Sequence, residues 1–199
     1  EFVFSLIRKK IFQWLGAKPN SSRLELKFGP GGTFSDPARY STLPNKMSSL
    51  PTMTRPMQSV LPLFWESAWG RYHASNGRSP TEVKGNRFSI VSKDAKTGRG
   101  ISSEPSINIT YQLGLGRLMR NALRHHGIDL DTCATLHKQV ACEASVTRLV
   151  ATLDATNASG SLCYNLVKLC MPSGWFEVLD QLRSPMTRIS KETRRSKEK

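Results

Sequence analysis

Two groups of residues have the types and spacing to act on an anionic substrate. Lys84, Arg87, Lys93, Lys96 and Arg99 place five cations within sixteen residues. Arg and Lys are charge-assisted donors, so cations spread over a strand and its following loop can hold a triphosphate or a nucleic-acid backbone. The same run also reads as a solvated basic loop. The second group centres on Asp154, which closes the apolar run Leu149-Val-Ala-Thr-Leu153 and precedes the small residues Ala155 to Ser159. A carboxylate at the carboxyl end of a buried strand lies where α/β layers bind ligands. Its oxygens suit Mg²⁺, which bridges substrate phosphates. A helix N-cap or turn carboxylate fits the same local sequence.

Other constellations are weaker. His125, His126, Cys133 and His137 form H-H-x₆-C-x₃-H, which lacks the paired spacing of structural zinc sites. Histidines at a helix end can instead face its last carbonyls. Gly29-Pro-Gly-Gly-Thr33 lacks the lysine of a P-loop, and Gly114-Leu-Gly116 lies inside a helical pattern without a third glycine. The four cysteines make no C-x-x-C pair, a spacing that points to reduced thiols. The sequons at Asn20, Asn108 and Asn157 read as chance matches.

These groups need a scaffold. The chain has 199 residues, 38% hydrophobic and 22% charged, with a formal net charge of +14. That length can bury a core, and that charge favours polyanions. No apolar run approaches the roughly 18 residues of a spanning helix. Phe4, Ile7, Ile11 and Trp14–Leu15 recur at helical spacing, so residues 1–15 read as an amphipathic helix. It either docks on the body or lies on a membrane surface. Its apolar start precedes Arg8-Lys-Lys, the reverse of a signal peptide.

Residues 1–85 are loop-rich; eight of the eleven prolines fall between 16 and 81, so long regular elements should be few there. Leu63 to Trp69 reads as a helix turn of the core. Asn86 to Ser92 alternates and predicts a strand, with Lys93 to Gly100 as turn or loop. Ser106 to His126 predicts one long helix stopped by Gly127. Residues 86–148 thus carry the basic motif and a long helix. Residues 149–183 read as a buried strand at 149–153, a helix from about Ser159 to Cys170, and another from Trp175 to Arg183. Residues 184–199 hold six cations against Glu192 and Glu198 with few apolar side chains, a composition expected to be disordered.

Taken in one register, the motifs resemble a specific family. Asn86 to Pro105 (Asn-Arg-Phe-Ser-Ile-Val-Ser-Lys-Asp-Ala-Lys-Thr-Gly-Arg-Gly-Ile-Ser-Ser-Glu-Pro) is similar to the basic fingers motif of the replicase β subunit of single-stranded RNA bacteriophages. Tyr111-Gln-Leu-Gly-Leu-Gly-Arg-Leu-Met-Arg120, Gly127-Ile-Asp-Leu130, Ala151-Thr-Leu-Asp-Ala-Thr-Asn-Ala-Ser159 and Pro172 to Pro185 continue the resemblance, and Phe28 to Ser35 joins it upstream.

The resemblance implies an α+β, right-hand RNA-dependent RNA polymerase fold. The chain would supply the fingers (1–148) and the first strand and helix of the palm (149–183), with palm and thumb incomplete. It implies Mg²⁺ held by Asp154 and the Ala155 carbonyl. Lys93, Lys96, Arg99 and Arg87 would bind the triphosphate of the incoming nucleotide. It further implies an RNA template and nascent strand, nucleoside triphosphates, host elongation factors Tu and Ts, and the cytoplasm of a bacterial host, with no membrane. Two departures stand out. Gly160 occupies the place of the family's second palm aspartate, and no Gly-Asp-Asp follows. The chain, which starts without Met, therefore reads as a replicase fragment inactive alone. The alternatives are a non-catalytic RNA-binding module derived from a replicase and a membrane-associated interaction domain.

Overall fold

A computed structural model of the protein describes residues 2–20, 24–92, 97–153, 158 and 160–189. In chain order the elements are α1 (Phe2–Leu15), a 3₁₀ turn (Ala38–Tyr40), α2 (Leu43–Ser48), β1 (Thr52–Thr54) and a 3₁₀ helix (Arg55–Val60). Then come α3 (Leu61–Glu66), α4 (Ala68–Ser75), β2 (Thr81–Val83), β3 (Gly85–Ser92) and β4 (Gly98–Ser103). The remainder is α5 (Ser106–His125), α6 (Leu130–Thr147), α7 (Tyr164–Cys170), α8 (Ser173–Leu182) and β5 (Met186–Arg188). The chain divides into two compact units: residues 1–24 with 115–178, and residues 25–114 with 179–199.

In the unit built from 25–114 and 179–199, the prolines shape the elements as well as separating them. Each of three short helices, Leu43–Ser48, Arg55–Val60 and Leu61–Glu66, has a proline in its first turn. A missing N–H costs nothing there, because first-turn amides have no helical partner. Ser67 then separates α3 from α4 and caps α4, accepting the Gly70 amide at 3.0 Å. The core gathers Met53, Met57, Phe64, Trp69, Ile107, Tyr111 and Leu182, all buried. The Phe64 and Trp69 rings meet edge to face at 5.2 Å, and Phe28 meets Trp69 at 5.0 Å.

A buried polar ladder ties this core to the strands. β1 pairs in parallel with β2. Two β1 amides instead meet the first turn of α5. The Thr52 amide donates to Ser106 Oγ at 2.9 Å, and the Ser106 amide donates to Thr52 Oγ1 at 3.1 Å. The Thr54 amide donates to Asn108 Oδ1 at 3.0 Å, while Asn108 Nδ2 donates to Thr54 Oγ1 at 2.8 Å and to the Leu182 carbonyl at 3.0 Å. Side chains spaced two apart on the helix thus stand in for a neighbouring strand, which buried amides require. Asn108 is fully buried, so its sequon is closed to modification.

The other unit is helical. Arg8 on α1 donates through Nε and Nη2 to the Leu169 carbonyl at 3.0 and 2.6 Å, capping the last turn of α7. Trp175 Nε1 donates to the Leu15 carbonyl at 3.1 Å. Asp129 caps α6 by accepting the Asp131 amide at 3.0 Å, and that bond, followed by Arg124, holds its carboxyl below the usual range. The α1 residues Ile11, Trp14 and Leu15 are half-buried and none is fully buried.

Several expectations hold. α1, β3, α5 and α8 form where periodicity places them, and Gly127 ends α5 at a positive φ of 79°. Four require correction. Residues 149–153 are neither a strand nor buried: Leu149 is 84% and Leu153 97% exposed. A central strand needs ladder partners on its edges, and no described segment offers them to this run. Gly98 to Gly100, expected as loop, already belong to β4. α7 starts at Tyr164 rather than near Ser159, after a turn at Gly160 and Ser161. Finally, Met186–Arg188, expected as disordered tail, is a strand paired in parallel with β3. Residues 190–199 lie outside the described residues.

Asn108→Ala strips partners from the Thr54 amide and from part of the Leu182 carbonyl, and should cost about 2–4 kcal/mol, read as a lower urea midpoint at unchanged slope. His73 offers a second test. It is buried, its Nε2 donates to the Met47 carbonyl at 3.0 Å, and among the described residues Nδ1 meets no donor. Burial lowers its pKa from the ordinary 6.5; the Met47 hydrogen bond opposes this and Arg78 adds to it. The unfolded chain therefore binds the proton more readily. This contribution is complete above pH 6.5 and is lost as pH falls below it, by at most about 1.4 kcal/mol per pH unit. The wild-type urea midpoint should fall between pH 7.5 and 5.5 more steeply than that of His73→Gln.

Candidate functional site

The alternation of β3 sorts its side chains onto two faces. β3 and β4 pair antiparallel with Arg87 opposite Ser103, Ser89 opposite Ile101 and Val91 opposite Arg99. Cross-strand partners share a face, so Arg87 and Arg99 lie on one side of the hairpin, about 13 Å apart along the strand direction. The other face is apolar in β3, with Phe88 and Ile90. A Cβ on Gly100 would lie 2.7 Å from the Phe88 ring, so glycine lets that ring cover the neighbouring strand.

The second neighbour of β3 is β5. Gly85 is in register with Met186, Asn86 with Thr187 and Arg87 with Arg188. Arg188 therefore joins Arg87 and Arg99 on one sheet face. Sequence reasoning assigned it to the tail. The usable signal was the β-branched pair Thr187 and Ile189 after Pro185, which the surrounding charges masked. β5 can approach because Gly85 has no side chain: a Cβ there would overlap the Met186 carbonyl oxygen at 1.8 Å.

Glu104, directly after β4, is committed elsewhere. Glu104 Oε1 accepts Asn86 Nδ2 at 2.8 Å and Oε2 accepts the Ser184 hydroxyl at 2.5 Å. Its carbonyl accepts the Phe34 amide at 2.8 Å. Arg87 lies 6.0 Å from the centre of the Phe34 ring, and its Nη2 reaches toward the Thr33 carbonyl at 3.5 Å. Arg99 and Arg188 are exposed. Among the described residues none of the three arginines is paired with a carboxylate. Such a face attracts phosphate, and planar guanidinium groups grip it by paired N–H donors.

Of the other sequence candidates, Lys84 is exposed on the bend before β3. Lys93 and Lys96, and Asp154 with Ala155, lie outside the described residues. Among the described residues no three His, Cys, Asp or Glu side chains converge as metal donors. The glycine-rich loop does meet a lysine, but in the wrong sense for phosphate. Buried Lys46 donates through Nζ to the carbonyls of Gly29 and of Gly31, the latter at 2.6 Å. Burial lowers its pKa, which Asp36 partly opposes. A P-loop turns N–H groups inward toward an anion, whereas this loop turns carbonyls toward a cation. The adjoining cavity of about 240 Å³ is walled largely by Phe28, Pro30, Ile109 and Leu113. Thr33 and Ser106 at its edge already serve Asp36 and Thr52, so they are poorly placed to orient a ligand.

Comparison with known proteins agrees with the motif order. A family described as RNA replicase, beta-chain, matches residues 1–198. The chain is 34% identical over 191 residues to the RNA-directed RNA polymerase subunit beta of Escherichia virus Qbeta, covering 95% of this chain and 31% of that protein. It is 39% identical over 99 residues to the same subunit of Enterobacteria phage SP, covering 50% of this chain and 17% of that protein. To the RNA-directed RNA polymerase beta chain of Escherichia phage MS2 it is 34% identical over 111 residues, covering 56% and 20%. The chain thus spans less than a third of the Qbeta relative.

The sheet geometry carries its own test. Gly85→Ala should expel β5 while sparing the β3–β4 hairpin. Amide exchange would then accelerate at Met186–Arg188 and stay slow at Phe88–Val91; equal protection of β5 in the variant would contradict the register.

Proposed function

Because the chain belongs to the RNA replicase β-chain family, we propose that it supplies the fingers and the opening of the palm of a right-hand RNA-dependent RNA polymerase. The reaction is template-directed nucleotidyl transfer, in which an RNA chain attacks a nucleoside triphosphate, grows by one nucleotide and releases pyrophosphate. The observation that supports this most is the arginine face of the β3–β4 hairpin, with no carboxylate partner among the described residues. Arg87 and Arg99 neutralise phosphate oxygens there, and Lys93 and Lys96, which fall between the two strands in sequence, add two cations to the same motif. Cations aimed at a triphosphate orient it and take up charge on the leaving pyrophosphate.

Asp154 and the Ala155 carbonyl are the Mg²⁺ donors in this reading. The metal would supply charge stabilisation at the reacting phosphate and lower the pKa of the attacking hydroxyl. Gly160 removes the carboxylate that the family pattern places six residues later, and this polypeptide contains no Gly-Asp-Asp. One carboxylate cannot hold two metal ions, so the 199-residue chain alone binds RNA without extending it. Template, nascent strand and nucleoside triphosphates are its ligands. Elongation factors Tu and Ts, and the cytoplasm of a bacterial host, enter through the family resemblance alone. No helix among the described residues is long and apolar enough to cross a membrane.

One observation favours a second reading, a non-catalytic RNA-binding module derived from a replicase. The run entering Asp154 is exposed and forms no strand. The two readings separate on Asp154. In a full-length polymerase carrying this segment, Asp154→Ala should abolish turnover, and Lys93→Ala or Arg99→Ala should raise the KM for nucleotides about tenfold or more. On the 199-residue chain, Arg87→Ala or Arg99→Ala should each flatten the salt dependence of single-stranded RNA binding by about 0.7 in log–log slope. Full activity of Asp154→Ala would leave only the binding module.

A further inference from the structure

We propose that Arg188 is a phosphate-binding residue that shares one anion with Arg87, and that this anion fastens β5 to the sheet. The proposal rests on the reading of the arginine face above and adds a residue, a strand and a coupling to it.

The β3–β5 ladder consists of three registered pairs, Gly85–Met186, Asn86–Thr187 and Arg87–Arg188. A ladder this short is marginal by itself. Its last pair sets two arginines in register on strands about 4.8 Å apart, with their side chains leaving the same face. Like charges in directly opposite positions destabilise a sheet. No carboxylate relieves the pair among the described residues: Glu104 serves Asn86 and Ser184, and Asp180 pairs with Arg183 at 2.9 Å. The approach itself is permitted, because Gly85 leaves room for the Met186 backbone.

The arrangement repels when empty and attracts when an oxyanion bridges the two forks. Each guanidinium donates charge-assisted N–H bonds to a phosphate oxygen, and the shared negative charge cancels the repulsion. Arg99, about 13 Å further along the same face, is too distant to share that phosphate. The face therefore suits a phosphate within a polyphosphate or a nucleic-acid backbone. Both sources present the same group, and the probes below tell them apart.

The coupling is reciprocal, since an anion that binds the paired strands better than the open ones must also stabilise the pairing. The test uses the 199-residue chain with inorganic tripolyphosphate and, separately, a 5′-hydroxyl oligouridylate. Amide exchange at Met186–Arg188 should slow about tenfold or more with one or both probes. Response to tripolyphosphate alone would identify a triphosphate site, and response to the oligonucleotide alone a backbone site. Arg188→Gln removes the repulsion and the fork together. It should protect β5 without any anion, lose the anion-induced slowing, and weaken binding of the effective probe about fivefold. Arg188→Lys should restore part of the binding. Unchanged affinity in Arg188→Gln, or β5 exchange indifferent to both probes, would overturn the proposal. If Arg87→Gln and Arg99→Gln weaken binding while Arg188→Gln does not, this inference fails and the proposed function stands. If none of the three matters, the proposed function fails with it.

Discussion

The buried contact between β1 and the first turn of α5 organises the unit that carries the arginine face. Ser106 and Asn108 satisfy two strand amides that have no strand to meet, and Asn108 also holds the Leu182 carbonyl at the end of α8. From that fixed carbonyl the chain runs two residues to Ser184, whose hydroxyl is tied to Glu104, and then enters β5 beside β3. Glu104 closes β4 and Ser106 opens α5, so hairpin, helix and returning strand are indexed to one another within a few residues. Unpaired polar groups are expensive in a dry core, so an arrangement that satisfies the Thr52 and Thr54 amides and the Leu182 carbonyl together has few competitors.

Electrostatics on this scaffold is a matter of where charges are spent. The net charge of +14 says only that polyanions are attracted. Arg120 and Arg124 pair with Asp129 and Asp131, and Arg183 pairs with Asp180. These pairs are solvent-exposed and contribute little to stability. Lys46 is spent on the carbonyls of the glycine-rich loop, which keeps that loop folded and closes it to phosphate. Glu104 is spent on neutral donors, and Arg87 pairs with no carboxylate among the described residues. Arg87, Arg99 and Arg188 share one sheet face and pair with no carboxylate among the described residues, so placement as well as number sets where an anion is attracted.

Much of this was legible in residue order. The alternation of Asn86 to Ser92, the 3.6-residue period from Ser106 to His125 and the Gly127 stop are local signals that survive folding unchanged. The cationic character of the segment holding Arg87 and Arg99 is local too, because charge type needs no partner; that both side chains share a face emerged only once Arg99 was placed in β4. The prolines were legible as interruptions but not as helix starters, since that use depends on which amides the tertiary structure leaves idle.

Residue order alone determined the family and the cationic character of the hairpin. Tertiary structure decided the rest. An apolar run such as 149–153 becomes a strand only if partners arrive from elsewhere, and a charged segment such as 186–188 becomes one if a glycine a hundred residues earlier admits it. Strand pairing is a long-range event whose free energy comes from the neighbour. Composition reports only the segment itself, so it misjudged both.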